Sequence, residues 1–283
     1  MEKYRLLRNL VANNPEIELI EPAAATNQDL LRAHDVEYIE AVTQGKLTEA
    51  QIREIGFPWT EAMVERSRRS AGATIAACLS ALKEGVSVNL AGGTHHAYAD
   101  KGSGFCVFND AAVAARYVQA LQPTRVAVID LDVHQGNGTA AILGRDSSCF
   151  TLSLHGEKNF PFRKEDSHLD IGLPDGCGDD EYLKILQQAL IEVERRFTPE
   201  LIIYLAGADP HEGDRLGRLK LTMHGMAERD RLVLGFAREL RCPIAIAMAG
   251  GYGRNIQTTV DVHHQTIQLA LQYHQQINPK VSQ

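Results

Sequence analysis

Short apolar runs alternate with longer segments of helical periodicity along most of the chain. Five runs are nearly continuous in apolar and β-branched residues, and each is short enough for one strand: residues 86–90, 125–130, 149–154, 201–205 and 243–249. Continuous hydrophobicity is typical of strands that are covered on both faces in a parallel sheet. The pattern therefore predicts a mostly parallel central sheet.

Helical segments separate these strands. Apolar residues recur at spacings of three and four over residues 60–83, 179–197, 223–240 and 260–277. Another helix is expected to start at Thr26, whose side chain can accept a hydrogen bond from the backbone N–H three residues on. The charged stretch 156–178, rich in glycine and proline, is expected to be a long loop. Because no repeat or linker interrupts the alternation, we expect one α/β domain over residues 1–283, with helices flanking the sheet.

Polar or glycine-rich residues follow every predicted strand. They are residues 92–96, 130–134 and 207–209, the single residue His155, and residues 250–253. In parallel α/β folds, ligands bind beyond the carboxyl ends of the strands, where these loops cluster. The sequence therefore predicts one site, built from several strand ends.

Composition narrows the function classes. The chain has 29 basic and 36 acidic residues and a formal net charge of −7, which argues against a nucleic-acid binder. Its apolar runs are far shorter than a membrane span, and the N-terminus lacks a signal-peptide core, so we expect a soluble, cytoplasmic protein. The five cysteines show no CxxC spacing, which favours reduced thiols. Any bound metal is therefore expected to be held by His, Asp or Glu.

Asp130, Asp132 and His134 follow the second predicted strand at alternate positions. In a straight strand the first and last would lie about 13 Å apart, too far for one ion, so we expect the chain to curl there, helped by residues 136–138. Asp132 and His134 then become the chelating pair, with Asp130 one step deeper and Asp209 as the third ligand. Two Asp and one His leave a coordination position open, as in catalytic zinc sites. A turn with capping aspartates is the alternative for residues 130–134, and a helix cap is the alternative for Asp209.

Two histidines and a tyrosine are candidates for the chemistry. His95 and His96 follow two glycines at a strand end, and imidazole suits proton transfer near neutral pH. Tyr252, within a glycine-rich turn, could donate to a developing oxyanion. A phosphate cradle is the rival hypothesis for that turn, but no Lys-Ser/Thr follows it and it is not GxGxxG. His263 and His264, inside a predicted helix, are interpreted as ordinary surface or packing residues.

Five segments resemble, in the same order, the motifs of the zinc-dependent histone deacetylase family: residues 93–97, 104–110, 130–138, 206–209 and 250–252. Residues 212–217 further resemble its class IV branch and bacterial relatives. The resemblance covers nearly the whole chain. It implies an arginase-like α/β fold and hydrolysis of an N-acyl amide.

The resemblance also implies a role for individual residues. Asp132, His134 and Asp209 would ligate Zn²⁺. His96 would be the general base, with His95 as its companion, paired to Asp130. Tyr252 would polarise the substrate carbonyl. The resemblance further implies a tunnel for a lysine-like stem, with Phe105 and Phe160 as its walls and Gly104 leaving room for the stem. It also implies a structural monovalent cation, usually K⁺, near Asp130 and Ser153.

The chain departs from the family pattern at two places. Asn137 stands where some branches have Asp behind the general base; an uncharged partner should stabilise an imidazolium less, so the pKa of His96 should be lower than in those branches. The chain begins at residues 1–4 where bacterial relatives usually have a further strand-bearing segment. We therefore expect either that the start site is misplaced or that an edge strand of the family is missing.

The expected substrates are acyl-lysine in proteins, or an acetylated polyamine or other small amine. Two other functions stay open. An arginase-like ureohydrolase with two manganese ions would share the fold, but residues 206–209 supply only one ligand where such an enzyme needs more. A non-catalytic acyl-lysine-binding protein is the other alternative, although it would need neither His96 nor Tyr252.

Overall fold

Six parallel strands form the sheet at the centre of the protein. The computed structural model describes residues 2–279, and its strands are β1 (Val86–Asn89), β2 (Val126–Asp130), β3 (Cys149–Gly156), β4 (Leu169–Leu173), β5 (Leu201–Leu205) and β6 (Ile244–Ala247). Across the sheet the order is β1-β6-β5-β2-β3-β4, and each neighbouring pair is parallel. The predicted α/β class, its parallel sheet and all five predicted strands are confirmed.

Strand β4 contradicts the expectation of an unbroken loop over residues 156–178. It pairs with β3 alone and lies at the edge of the sheet. Its burial alternates between half-buried and exposed positions until Leu173, and it contains Asp170 and Gly172, residue types that are depleted in strands. A five-residue edge strand of this composition lacks the continuous apolar signal that identified the buried strands.

Ten helices cover the sheet and its ends within the part of the chain that the structure describes. They are α1 (Glu2–Val11), α2 (Asn27–Leu30), α3 (Val36–Gln44), α4 (Glu49–Ile55), α5 (Glu61–Glu84), α6 (Asp110–Leu121), α7 (Asn137–Leu143), α8 (Asp179–Arg196), α9 (Met223–Glu239) and α10 (Ile256–Ile277). The four long predicted helices are confirmed as α5, α8, α9 and α10. Helix α10 begins four residues before its apolar pattern, because the Asn255 side chain caps it by accepting from the Gln257 N–H at 3.0 Å. Thr26 caps α2 as expected, accepting from the Asp29 N–H at 3.2 Å.

Both faces of the sheet are buried. In β5, Ile202 and Tyr204 belong to the core shared with α1, α8, α9 and α10, whereas Leu201, Ile203 and Leu205 belong to the core shared with α3, α5 and α6. Alternate residues of a strand point to opposite faces, so a strand covered on both sides must be apolar throughout. This explains the continuous hydrophobic runs in the sequence.

Three further expectations concern the whole chain. All five cysteines are free and buried, as their spacing predicted. No helix among residues 2–279 is both long and apolar enough to cross a bilayer. The first described element is α1, which packs against α10, and β1 is one edge of the sheet. The expectation that the family's N-terminal strand is missing stays a prediction.

Candidate active site

The loops that follow β1, β2, β5 and β6 meet at one edge of the sheet. The two central strands, β2 and β5, are direct neighbours, with Asp130 beside Leu205. The chain therefore leaves both strands at the same level, and Asp132 after β2 comes close to Asp209 after β5. Gly250 follows β6 on the other side of β5 and donates its N–H to Asp132 Oδ2 at 2.8 Å. The predicted convergence of strand ends on one site is present.

Asp132, His134 and Asp209 form a compact group of donor atoms. One ligand atom from each lies within 4.8 Å of the others, and His134 Nδ1 is 2.9 Å from Asp132 Oδ1 and 3.5 Å from Asp209 Oδ2. The chain does curl after β2: Asp130 Oδ1 accepts the Asp132 N–H, and Asp132 Oδ1 accepts the His134 N–H. The aspartates thus cap the turn and also form the cluster, so the two interpretations of residues 130–134 are compatible.

Backbone amides orient both carboxylates of this group. Asp132 Oδ2 accepts from Gly250, and Asp209 Oδ1 accepts the Val133 N–H at 2.9 Å. The other oxygen of each carboxylate faces His134. Asp209 Oδ2 is buried and accepts no hydrogen bond from residues 2–279. Ligands of a tetrahedral zinc ion lie about 3.3 Å apart. The distances of 2.9 and 3.5 Å from His134 Nδ1 to the two carboxylates are close to that value, so these residues could hold such a metal.

The electrostatics of the group also favour a cation. Burial alone would lower the pKa of His134, but its hydrogen bond to Asp132 and the nearby charges of Asp132 and Asp209 outweigh burial and raise the pKa to about 10. Burial and the charge of Asp132 raise the pKa of Asp209 to about 6. Two buried carboxylates this close require a positive partner, which in the metal-free chain is the imidazolium. A divalent ion would take its place, leaving His134 neutral as a ligand.

His95 and Asp130 form a buried pair next to the group Asp132, His134 and Asp209. His95 Nδ1 lies 2.6 Å from Asp130 Oδ2, and its Nε2 lies 3.8 Å from Asp132 Oδ1. Burial would lower the pKa of His95, but the charges of Asp130 and Asp132 raise it to about 9. Asp130, the last residue of β2, lies one step deeper than Asp132 along the chain, and its role behind a metal site stays a prediction. His95 is therefore held as a cation by its neighbours.

His96 is held as a neutral base. Its Nδ1 lies 2.6 Å from Asn137 Oδ1, and Asn137 Nδ2 donates to the Tyr98 hydroxyl at 2.9 Å. This contact fixes the amide, so His96 Nδ1–H donates and Nε2 keeps its lone pair. Burial and the charges of His95 and His134 hold the pKa of His96 well below its usual value, and the neutral Asn137 does not restore it.

Gly104 and two phenylalanines shape the approach to His96. A Cβ at Gly104 would lie 2.7 Å from His96 Cδ2 and 3.0 Å from Phe160, and the residue has a φ of +52°. The Phe160 ring meets His96 edge-on with centroids 4.9 Å apart. On the other side, the rings of Phe105 and Tyr252 are 5.8 Å apart. The substrate tunnel expected between Phe105 and Phe160 stays a prediction.

Tyr252 is fixed through its backbone. Its N–H donates to Asp214 Oδ2 at 2.6 Å, and its carbonyl accepts from Arg215 Nε at 3.0 Å. Burial raises the pKa of Tyr252 far above its usual value, so the hydroxyl stays protonated at neutral pH. Residues 212–217, which the sequence marked only by resemblance, therefore hold the tyrosine in place.

Three other residues, Ser153, Lys3 and His263, complete the comparison with the sequence. Ser153 lies beside Asp130 in the sheet register, and its hydroxyl is 2.9 Å from His155 Nδ1. Lys3, which the sequence gave no reason to choose, donates to the carbonyls of Ala249 and Gly251 at 3.2 Å each. That contact joins residues about 250 positions apart, so no local pattern could reveal it. His263 is buried inside α10, in line with a packing role.

Comparisons with protein families, protein sequences and solved structures all match histone deacetylases or their homologues. The model of the histone deacetylase domain matches residues 1–267. An uncharacterised protein of Picosynechococcus sp. is 42% identical over 267 residues, covering 93% of this chain and 89% of that protein. Histone deacetylase 2 of Arabidopsis thaliana is 36% identical over 84% of this chain, which spans 64% of that protein's length. The crystal structure of a histone deacetylase homologue from Aquifex aeolicus superposes with a TM-score of 0.80 at 27% identity, covering 95% of this chain and 76% of the other.

Proposed function

Because the chain belongs to the histone deacetylase family, we propose that it is a zinc-dependent hydrolase that removes an acyl group from an N-acyl-lysine or a similar N-acylated amine. The acetyl group is the acyl group that we expect first. The observation that carries the proposal is the buried group Asp132, His134 and Asp209, with its donor atoms 2.9 to 3.5 Å from His134 Nδ1. These residues would hold the zinc ion. When bound, the ion would acidify a water molecule and polarise the amide carbonyl.

His96 is assigned the role of general base. Its Nε2 carries the free lone pair and takes a proton from the attacking water, while Asn137 holds Nδ1. Its lowered pKa keeps the imidazole neutral and ready to accept that proton. His95, held as a cation by Asp130, keeps a second proton beside it. A protonated histidine of this pair then gives a proton to the leaving amine.

Tyr252 is assigned to the oxyanion that forms when water adds to the carbonyl. Its hydroxyl is protonated over the working pH range and can donate a hydrogen bond to that oxygen. Gly104, Phe105 and Phe160 would hold the aliphatic stem of the substrate between aromatic walls. The monovalent cation expected near Asp130 and Ser153, and the cytoplasmic location, stay predictions.

A substrate panel tests the proposal. Purified, zinc-loaded protein is assayed with an acetyl-lysine peptide, a long-chain acyl-lysine peptide and acetylspermidine, and H96A serves as the inactive control. We expect release of the free amine from at least one of them, with one zinc per chain by elemental analysis. Two manganese ions per chain with urea release from a guanidino substrate would establish the arginase-like alternative. Tight binding of the peptide without turnover would establish the non-catalytic one.

A further inference from the structure

A buried arginine lies behind the metal-binding group. Arg229, in α9, has no exposed surface, and its neighbour Asp230 is 1% exposed. Arg229 Nε donates to Asp230 Oδ1 at 2.9 Å, and Nη2 lies 2.8 Å from the same oxygen. Asp230 also accepts the hydroxyls of Tyr204 in β5 and Thr266 in α10, each at 2.6 Å. The pair is thus anchored on two further elements.

The free edge of the guanidinium faces the strand ends. Arg229 Nη1 donates to the carbonyl of Gly207 at 2.5 Å and reaches the carbonyl of Leu131 at 3.5 Å. Leu131 immediately precedes Asp132, and Gly207 is two residues before Asp209. One nitrogen therefore spans the two backbone segments that carry both carboxylates of the group.

The space between these segments is tightly set. A Cβ at Gly207 would lie 2.7 Å from Asp132 Oδ2 and 2.9 Å from Asp209 Oδ1. The Gly207 backbone thus lies against both carboxylates, and a small shift of its carbonyl would change their spacing. Such a shift matters because zinc tolerates little variation in the distances of its ligands.

We infer that Arg229 is a positioning residue that fixes the spacing of Asp132 and Asp209 and so sets the affinity of this site for its metal. The inference rests on the proposed metal site. Asp230 orients the guanidinium: Nε donates to its Oδ1 and Nη2 lies beside the same oxygen, while Thr266 holds Oδ2. Groups that orient metal ligands typically contribute 10- to 100-fold to affinity. We expect the lower end of this range, because Arg229 acts through backbone carbonyls.

Zinc affinity measured by competition with a chelator tests the inference. The variant R229M/D230N removes both charges together, so that no unpaired buried charge remains, and the amide oxygen that it introduces at position 230 can still accept from Tyr204. We expect its zinc dissociation constant to rise about 10-fold. Y204F is the matched control, since it disturbs the same buried network without touching the contacts to Gly207 and Leu131. Its affinity should stay within twofold of the parent's, even if its thermal stability falls as much as that of the double variant.

A second readout separates geometry from stability. In the cobalt-substituted protein, the visible absorption bands report the ligand arrangement, and they should change in R229M/D230N but not in Y204F. An R229M/D230N protein with parental zinc affinity and parental cobalt spectrum overturns the inference. If that variant does not fold, R229K decides by the same criteria, because one ammonium cannot reach both Asp230 and the two carbonyls in the same fork geometry. A parent chain that binds no zinc would refute the proposed function instead.

Discussion

Replacing Asn137 with aspartate should raise the pKa of His96 and move the acidic limb of the pH–rate profile to higher pH. In the parent, a neutral amide oxygen 2.6 Å from Nδ1 accepts the imidazole proton, and the pKa lies well below the usual value. A carboxylate at the same place would favour the protonated ring. Because the role proposed for His96 requires the neutral ring, activity at acidic pH should fall relative to activity at pH 8.

The size of the shift follows from the distance. Two unit charges about 4 Å apart at an effective dielectric constant of about 20 attract by roughly 4 kcal/mol, and measured shifts beside an opposite charge are about 1–3 pKa units. The new carboxylate would also lose the contact that Asn137 Nδ2 makes to the Tyr98 hydroxyl. The Tyr98 hydroxyl would have to donate to the new carboxylate instead of Glu165, and this rearrangement would reduce the rise in the pKa of His96.

The assay is kcat/KM from pH 5 to 9 for the parent, N137D and the double variant N137D/Y98F, which removes the competing hydroxyl. Histidine NMR of the same proteins assigns the titrating ring. We expect the midpoint of the acidic limb to move up by at least one unit in N137D and by no less in the double variant. If neither the acidic limb of the pH–rate profile nor the NMR titration of His96 shifts in N137D, the assignment of His96 as the base whose pKa depends on residue 137 is refuted.

Three other substitutions give distinct outcomes. Y252F should lower kcat a hundredfold or more, since an oxyanion donor is worth about 2.7–4 kcal/mol, while elemental analysis still finds one zinc per chain; loss of zinc together with activity would contradict its role. D209A should lose zinc, because it removes the buried Oδ2 beside His134 Nδ1, and full zinc content would disprove the ligand assignment. G104A should reduce kcat/KM and thermal stability, because its Cβ would meet His96 at a φ of +52°. Its matched control G235A, in α9 with no atom within 4 Å of the new Cβ, should instead stabilise the fold by about 0.5–1 kcal/mol. Equal effects of the two glycine substitutions would argue against a crowded position at Gly104.

The sequence predicted those parts of the structure whose signal is local. The β5 run is apolar at every position because both of its faces are buried, and α8 shows its buried face as a regular repeat of apolar residues. The β4 edge strand and the short helices α3 and α4 carry weak signals, since few of their residues are buried.

The residues of the candidate site also differ in how far the sequence predicts them. Their positions at strand ends identified Asp132, His134 and Asp209 as candidates, and these three residues lie together in the structure. The contacts of Arg229 with Gly207 and of Asp214 with Tyr252 join segments 22 and 38 residues apart, with no pattern that marks either pair. Such contacts depend on how helices and loops pack, which no short stretch of sequence encodes. The sequence therefore indicates which groups do the chemistry, and the structure is needed to find the groups that hold them.

The backbone amides that orient the carboxylates of Asp132 and Asp209 also govern when the proposed site can form during synthesis. Asp132 depends on Gly250, 118 residues later, and Asp209 depends on Val133, 76 residues earlier. Closing such long loops is entropically unfavourable until the strands between them have assembled. A nascent chain on the ribosome can therefore complete the hydrogen bonds that orient Asp132 only after residue 250 has emerged. Zinc should accordingly be acquired by the nearly finished fold and cannot guide the early steps of folding.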